Sequence, residues 1–159
     1  MRKLDGMEKE IISLLQEDGR MPYVKIAQLL GVTEGTIRRK VQALMDEGIM
    51  NITAICNPFM IGFDAPAFIG MDVERSRIKE VSAELVKMPE VQFLAVTTGP
   101  YDIITQVVTR SNSELYDFIL NKMAALEGIK DTHTFLIMNI CKQTWNLKYP
   151  GERGDSSKE

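Results

Sequence analysis

The stretch 27-AQLLGVTEGTIRRKVQAL-44 contains two short helical patterns separated by a glycine. In the second pattern three apolar residues recur four and three positions apart and define one buried face: Ile37, Val41 and Leu44. Gly31 is positioned to end the first helix, and Thr33 is a favoured residue for capping the second. The stretch therefore predicts a helix-turn-helix whose second helix is capped by Thr33 and ended by Gly48.

The flanking sequence extends this pair into a compact unit of three helices. Asp5 followed by Glu8 has the capping-box spacing that opens a first helix, and the next helix of the unit covers Tyr23 to Leu30. Beyond the third helix, Ile49 to Cys56 is typical of a strand, and 57-NPFMIG-62 carries the proline and glycine expected of a linker.

The rest of the chain changes to strands and helices in the order β-α-β-β-α-β. Helices capped by Ser76 and Ser111 separate the strands. The predicted strands begin at Ala65 and then cover Val91 to Thr97, Ile103 to Thr109 and Thr132 to Cys141. This order predicts a ferredoxin-like sandwich, in which two helices cover one face of an antiparallel sheet, so the fold class of the chain is α+β.

The second helix of the pair carries three basic residues in succession. With the apolar positions turned inward, five residues are left facing outward: Gly35, Thr36, Arg38, Arg39 and Gln42. Such a helix fits the DNA major groove, where Arg bonds guanine edges while Thr and backbone amides at the helix start hold phosphates. A solvated basic helix face is the other interpretation, and the helix-glycine-helix spacing favours DNA. Because so few contacts bind weakly, we expect a dimer on double-stranded DNA with paired half-sites.

Composition narrows the remaining classes of function. The 159 residues carry a net charge of −3, so any attraction to DNA must be local. One histidine, His133, and two cysteines, Cys56 and Cys141, assemble no catalytic centre and no metal site, and we predict neither an enzyme nor a cofactor. The longest apolar runs are too short for a membrane span, so a cytoplasmic location is the default expectation.

The predicted sheet has one face that no helix covers. Apolar residues occupy that second register of the strands as well as the core register: Phe68, Leu94, Val96, Phe135 and Ile137. A second copy of the same sheet is the natural cover for such a face. We therefore expect a homodimer through the C-terminal domain.

The stretch 97-TTGPYD-102 joins the second and third strands. Gly99 and Pro100 fit a turn, because glycine relieves the backbone and proline fixes the next angle. The two hydroxyls, the phenol and the carboxylate beside them leave the edge of a binding pocket as a further interpretation. No catalytic partner can be proposed for them.

The chain resembles the Lrp/AsnC group of feast/famine transcriptional regulators over essentially its whole length, to about residue 145. The resemblance is carried by a series of ordered landmarks: 4-LD-5, 17-EDGR-20, 27-AQLLGVTEGTIRRKVQAL-44, 47-EGI-49, 57-NPFMIG-62, 98-TGPYD-102 and 128-GIKDTHT-134. We accordingly divide the chain into a winged helix-turn-helix domain (1–50), a strand and linker (51–62), a ferredoxin-like effector-binding and oligomerisation domain (63–145) and a C-terminal tail (146–159).

The resemblance implies roles for residues of the first domain. It makes Thr33 to Asp46 the recognition helix, with Thr36, Arg38 and Arg39 as the expected DNA contacts. Thr33 and Gly35 at the helix start and the outward-facing Gln42 complete the DNA-binding set that we predict. The family usually has arginine where Lys40 stands, so Lys40 is expected to hold a phosphate rather than to read a base.

The resemblance also implies dimers, often assembled into octamers or other multiples, with an amino-acid effector bound where dimers meet. Asp102 can pair with the ammonium of an amino acid, and the Gly99 amide with nearby hydroxyls can hold its carboxylate. The expected effector residues are Thr97, Thr98, Gly99, Pro100, Tyr101, Asp102, Phe135 and Leu136, with Asn112 and Ala124 as weaker candidates.

Two alternatives remain at this point. Siroheme decarboxylases resemble these regulators, although the single histidine and the retained basic helix disfavour an enzyme. The other alternative is a sensing and assembly protein whose DNA-binding unit is vestigial. The sequence names neither the effector nor the operator.

Overall fold

A computed structural model gives the structure of residues 2–144 and residue 147, and the description below is confined to them. These residues form two compact units. The first contains the chain up to Ala54 together with residues 143, 144 and 147, and the second runs from Ile55 to Lys142. Within the described ranges, no helix is long and apolar enough to cross a membrane.

The first unit contains the three predicted helices: α1 (Gly6–Glu17), α2 (Tyr23–Leu30) and α3 (Glu34–Asp46). Gly31 ends α2 in the left-handed conformation, with a φ of 68°, and Thr33 caps α3. The apolar faces of the three helices meet in one core: Ile11, Ile12, Leu15, Met21, Ile26, Ala27, Ile37, Val41 and Leu44. The prediction of a helix-turn-helix packed on a first helix is therefore confirmed.

A buried carboxylate holds the start of α1. Asp5 and Glu8 form the predicted capping box, in which each side chain accepts a hydrogen bond from the backbone N–H of the other. Glu8 is only 4% exposed, and both its oxygens accept from the Arg2 guanidinium, at 2.9 and 3.0 Å. The hydrogen bonds from Arg2 hold the pKa of Glu8 below its usual range. Arg2 also donates to Glu47, just after α3, at 2.6 Å, so this corner joins the first and third helices.

The predicted strand over Ile49 to Cys56 was wrong. Between residues 49 and 57 the backbone forms no strand, and Ile52 and Ile55 are exposed. A strand needs a neighbouring strand to satisfy its backbone groups, and within the described residues all four strands belong to the sheet of the second unit. The helix-turn-helix consequently has no strand forming a wing within the described residues.

The second unit has the predicted β-α-β-β-α-β order. Its elements are β1 (Ala65–Val73), α4 (Ile78–Leu85), β2 (Val91–Val96), β3 (Ile103–Thr109), α5 (Asn112–Asp117) and β4 (Ile129–Leu136), with a π-helical segment (Phe118–Met123) directly after α5. The strands form one antiparallel sheet in the order β2-β3-β1-β4. This is the ferredoxin-like arrangement expected from the sequence.

Three predicted boundaries in this unit were wrong. The last strand does not reach Cys141, because β1 starts at Ala65 and offers no partner beyond residue 137. Ser76 lies inside a short 3-10 turn and makes no capping bond to α4. The helix opened by Ser111 is α-helical only as far as Asp117 and then widens into the π-helical segment. The predicted tail, residues 146–159, lies outside the described residues except for Leu147.

The helices and one face of the sheet enclose the core of the second unit. Its buried apolar side chains come from β1, α4, β3, α5 and the π-helical segment that follows α5: Ala65, Ala67, Ile69, Met71, Val73, Val81, Leu85, Ile103, Val107, Leu115, Phe118 and Met123. Burial alternates along β3, and the register of β3 against β1 places the remaining residues of both strands on the opposite face.

A β-bulge in β2 changes which of its side chains lie on the open face of the sheet. The register shifts between Val91 and Phe93, so Leu94 pairs with the buried Thr105 and packs against the core. Val96 likewise pairs with a buried core residue. The predicted placement of Leu94 and Val96 on the open face was therefore wrong, and Phe93 and Ala95 occupy it instead. Phe68 and Phe135, which pair across β1 and β4, lie there as predicted.

A glycine makes room for an aromatic ring on this open face. A Cβ atom added at Gly70 would lie 2.6 Å from two ring carbons of Tyr101. The Tyr101 ring is also 5.4 Å from the His133 ring and 6.4 Å from the Phe135 ring, centroid to centroid. Because Gly70 has no side chain, the Tyr101 ring can pack directly against β1.

We expect Gly70→Ala to lower the free energy of unfolding by about 1–3 kcal/mol, because the new methyl group overpacks the Tyr101 ring. Chemical denaturation followed by circular dichroism, at one protein concentration, measures the change. In a Tyr101→Ala background the clash is absent, so the same substitution should be nearly neutral. An equal loss in both backgrounds would show that the ring is not the cause.

We expect acid to remove the contribution of Glu8. The pKa of Glu8 is lowered in the folded chain, so its stabilisation is complete above the ordinary glutamate pKa and is lost as the pH falls through the folded value. Thermal unfolding between pH 6 and pH 3 should therefore show wild type more stable than Glu8→Gln at pH 6, with the difference closing toward pH 3. Glu10→Gln, at an exposed position of the same helix, is the control and should follow wild type.

Candidate functional site

The start of α3 is built from two threonines. The Thr33 side-chain oxygen accepts from the Thr36 backbone N–H at 3.3 Å, and the two hydroxyl oxygens are 3.0 Å apart. Thr36 is half-buried. Gly35 is exposed between them, and a Cβ atom there would meet only Thr33 Oγ1, at 3.9 Å. The surface above this helix start is therefore open to a large ligand.

Arg38 lies on the flank of α3 that faces α2. Its Nη2 donates to Glu34 Oε1 at 2.6 Å, one helical turn earlier. Its guanidinium carbon is 5.6 Å from the centroid of the Tyr23 ring, at the start of α2. Arg38 is thus exposed but held at two points by its own unit.

Lys40 lies on the opposite flank of α3, toward α1. Its Nζ donates to Asp5 Oδ2 at 2.6 Å and lies 3.6 Å from Glu8 Oε1. The Lys40 hydrogen bond lowers the pKa of Asp5, and the same bond raises the pKa of Lys40. The ammonium charge is therefore paired with two carboxylates of the same unit, and this pairing does not favour the phosphate contact expected for Lys40.

Arg39 lies between the two flanks, on the ridge of α3. It is exposed, and within residues 2–144 no carboxylate pairs with it. Gln42 shares the ridge one turn later and donates from Nε2 to Asp46 Oδ1 at 2.8 Å. Of the three consecutive basic residues, Arg39 therefore has the guanidinium that is open to an external anion.

The first unit is electrically balanced as a whole. Residues 1–54 include eight Lys and Arg and eight Asp and Glu. Several of the acidic side chains form ion pairs with basic side chains of the same unit. The charge at any point of the surface of this unit therefore depends on which side chains are paired. The ridge of α3 is the part of this helix where an arginine has no carboxylate partner among residues 2–144.

The loop 97–102 closes on itself. The Thr97 N–H donates to the Asp102 carbonyl at 2.8 Å, and the Thr97 hydroxyl donates to the Tyr101 carbonyl at 2.5 Å. Gly99 has a φ of 132°, a conformation that favours glycine. Thr98, Gly99 and Pro100 are exposed at its tip.

Asp102 anchors this loop to β1. Its N–H donates to the Met71 carbonyl, and its Oδ2 accepts from the Val73 N–H, both at 2.9 Å. The second bond falls at the irregularity in pairing between Asp72 and Val73. The Val73 N–H lowers the pKa of Asp102, so the side chain is a carboxylate at neutral pH.

The other expected effector residues are divided between different surfaces of the protomer. Phe135 lies on the open face beside the Tyr101 ring, whereas Leu136 pairs with Ala67 and takes the helix side of the sheet. Asn112 begins α5 and Ala124 follows the π-helical segment, and both are exposed. One protomer therefore brings together the loop and Phe135 but does not place Leu136 with them.

Two cavities lie on other parts of the second unit. One, of about 270 Å³, is lined by Arg77, Glu80, Val81, Glu84, Ala125, Leu126 and Glu127. The other, of about 150 Å³, is lined by Glu90, Thr109, Glu114, Asp117, Phe118 and Lys122. No residue of the loop 97–102 lines either cavity. Within the described residues, no group of three or more His, Cys, Asp and Glu side chains is arranged to hold a metal ion.

Sequence reasoning missed the partners of the basic residues. The pairing of Glu34 with Arg38 had a detectable signal, because opposite charges four residues apart share one helix face. The contact between Tyr23 and Arg38 and the bond between Asp5 and Lys40 join different helices, so no local spacing indicates them.

Both units match models of known protein families. Residues 4–45 match the AsnC-type helix-turn-helix domain, and residues 66–147 match the Lrp/AsnC ligand binding domain. The second match alone covers more than half of the chain.

Similar proteins are found among both sequences and structures. An uncharacterized HTH-type transcriptional regulator of Pyrococcus horikoshii is 43% identical over 141 residues, covering 88% of this chain and 89% of that protein. The HTH-type transcriptional regulator FL11 of Pyrococcus furiosus is 35% identical over 145 residues, covering 91% and 95%.

Solved structures share the fold. Escherichia coli AsnC superposes with a TM-score of 0.77 at 26% identity, covering 91% of this chain and 99% of AsnC. The regulator NMB0573 of Neisseria meningitidis, solved in complex with L-Met, superposes with a TM-score of 0.78 at 23% identity, covering 92% and 97%. The relatives are regulators rather than enzymes, and this chain belongs to the Lrp/AsnC family of transcriptional regulators.

Proposed function

We propose that this regulator binds double-stranded DNA sequence-specifically through α3 and that an amino acid modulates its assembly or its DNA binding. The observation that carries the DNA-binding part is the ridge of α3. There Arg39 is exposed and has no carboxylate partner among residues 2–144, and Gly35 leaves the surface at the helix start open. A helix with these features can enter the major groove, where an unpaired guanidinium contacts phosphate or a base edge.

The open face of the sheet supports a homodimer. Phe68, Phe93 and Phe135 are 39%, 42% and 54% exposed on it, beside Tyr101. Aromatic side chains gathered on one face of a sheet are favourably buried by a second copy of the same face. A dimer presents two α3 helices, which suits an operator with paired half-sites and compensates for the few contacts that each helix makes.

The loop 97–102 supports an amino-acid effector. Asp102 is ionised and held in place by the Val73 N–H, so it offers a fixed negative charge to an ammonium group. The exposed hydroxyl of Thr98 and the backbone at Gly99 can bind the carboxylate of the same molecule. The L-Met complex of NMB0573 supports this class of ligand, because that protein has the same fold.

The scattered positions of the remaining effector candidates fit a site between dimers. Leu136 takes the opposite side of the sheet from the Tyr101 ring, so it would contribute to a site with this loop only from a second subunit, and Asn112 and Ala124 are exposed for such a contact. An effector bound at such a contact favours the assembly that it bridges, and octamers or other multiples of the dimer follow from this arrangement.

A regulator of chromosomal genes acts where the DNA is, so we place it in the cytoplasm.

We expect Arg39→Ala to weaken operator binding about three- to tenfold and to reduce the slope of log affinity against log salt by about 1. The probe is a duplex selected from a random-sequence pool by the wild-type protein, and binding is followed by fluorescence anisotropy. Arg110→Ala, which removes the same charge from the second unit, should bind like wild type. Light scattering should give both variants the wild-type mass.

Two outcomes would contradict the DNA-binding proposal. A wild-type protein that enriches no sequence from the pool would point to a vestigial helix-turn-helix. An Arg39→Ala titration that superposes on wild type would remove Arg39 from the DNA surface.

We expect Asp102→Asn to abolish the effect of an equimolar mixture of the twenty amino acids on DNA binding, while affinity without the mixture stays within about twofold. Asparagine keeps an oxygen that can accept from the Val73 N–H, so this variant removes the charge without releasing the loop. Asp64→Asn, which makes the same change at an exposed position of the second unit, is the control. A full response in Asp102→Asn would exclude Asp102 as the ammonium partner.

A further inference from the structure

Arg38 is restrained within the protein itself. Its Nη2 donates to Glu34 Oε1 at 2.6 Å, and its guanidinium carbon lies 5.6 Å from the Tyr23 ring centroid. An unrestrained arginine side chain loses rotamer freedom when it is fixed on a ligand. Contacts already present in the unbound protein reduce that loss on binding.

Glu34 and Tyr23, the two partners of Arg38, are themselves held in place by the helices that carry them. Glu34 stands in the first turn of α3, where the helix dipole favours its negative charge. Tyr23 is the first residue of α2 and packs against the core of the first unit. The two restraints thus come from different helices, and together they fix where the guanidinium lies on the flank of α3.

The restraint leaves most of the guanidinium available. An arginine has five N–H donors, and the contact with Glu34 uses a single nitrogen, Nη2. A guanidinium whose position is restrained in this way keeps donors that can bond in parallel to O6 and N7 of guanine. Arg39, by contrast, has no carboxylate partner within residues 2–144 and suits a phosphate, whose position varies little with sequence.

We propose that Tyr23 and Glu34 are positioning residues that hold Arg38 as the guanine-reading side chain of the recognition helix. This inference rests on the proposed DNA-binding function. It predicts that the two residues control discrimination between sequences rather than attraction to DNA in general.

The experiment measures the ratio of two affinities at one salt concentration. One probe is the duplex selected by the wild-type protein, and the other is a random-sequence duplex of equal length. Arg38→Ala should lower this ratio about tenfold, and Tyr23→Leu should lower it about two- to fivefold, because the ring contact is lost while the charge of the protein is unchanged. Tyr23→Phe keeps the ring and should restore the wild-type ratio. Glu34→Gln should lower the ratio, partly by raising affinity for random DNA.

A double-mutant cycle separates positioning from folding. If Tyr23 acts through Arg38, then Tyr23→Leu has no further effect on the ratio in an Arg38→Ala background. A purely structural role would weaken binding to both probes equally and leave the ratio unchanged, which would overturn the inference. A wild-type protein that selects no sequence would instead overturn the DNA-binding proposal, so the two failures are distinguishable.

Discussion

The pitch of an α-helix determines what the basic helix can do. Successive residues are rotated by about 100° around the axis, so three consecutive basic residues cannot share one surface. In α3, Arg38 turns toward α2, Lys40 turns toward α1, and Arg39 stays on the ridge between them. A run of three positive charges thereby becomes one restrained arginine, one lysine paired within its own unit and one arginine that no carboxylate of the described residues pairs with. The balanced charge of this unit is consistent with DNA binding because the position of each pair, rather than the total, sets the local field.

The second unit depends in the same way on the local geometry of its sheet. Asp102 accepts from the Val73 N–H where the pairing of β1 with β4 is irregular, so the carboxylate that we propose for the effector also holds the loop in place. Gly70 completes the arrangement, because the absence of a side chain there lets Tyr101 pack against β1. A substitution that removes Asp102 entirely would therefore mix a change in ligand binding with a change in the loop, whereas asparagine separates the two.

Local patterns in the sequence predicted most elements of the fold. The capping signals of Asp5 and Thr33 and the apolar spacing of α3 depend on neighbouring residues, and the structure confirms them. The failures depend on partners distant in sequence. The bulge beside Phe93 reversed the faces of β2, and the segment after α3 has apolar residues but no strand to pair with in the described chain. Around the candidate site, composition indicated which residues are basic, but only packing between helices showed that Lys40 is already satisfied.

The division of roles within α3 has a consequence for regulation. A small effector can change operator occupancy only by as much as it prefers one assembly over another, and the same coupling must make DNA change the affinity for the effector. On the proposed function each α3 contributes few contacts to DNA, so the affinity for the operator depends on how many copies are joined. The discrimination that we propose for the restrained Arg38 would belong to each copy and be independent of that number. Assembly would thus set how strongly the operator is occupied. The contacts of Tyr23 and Glu34 with Arg38 would set which DNA sequence is recognised as the operator.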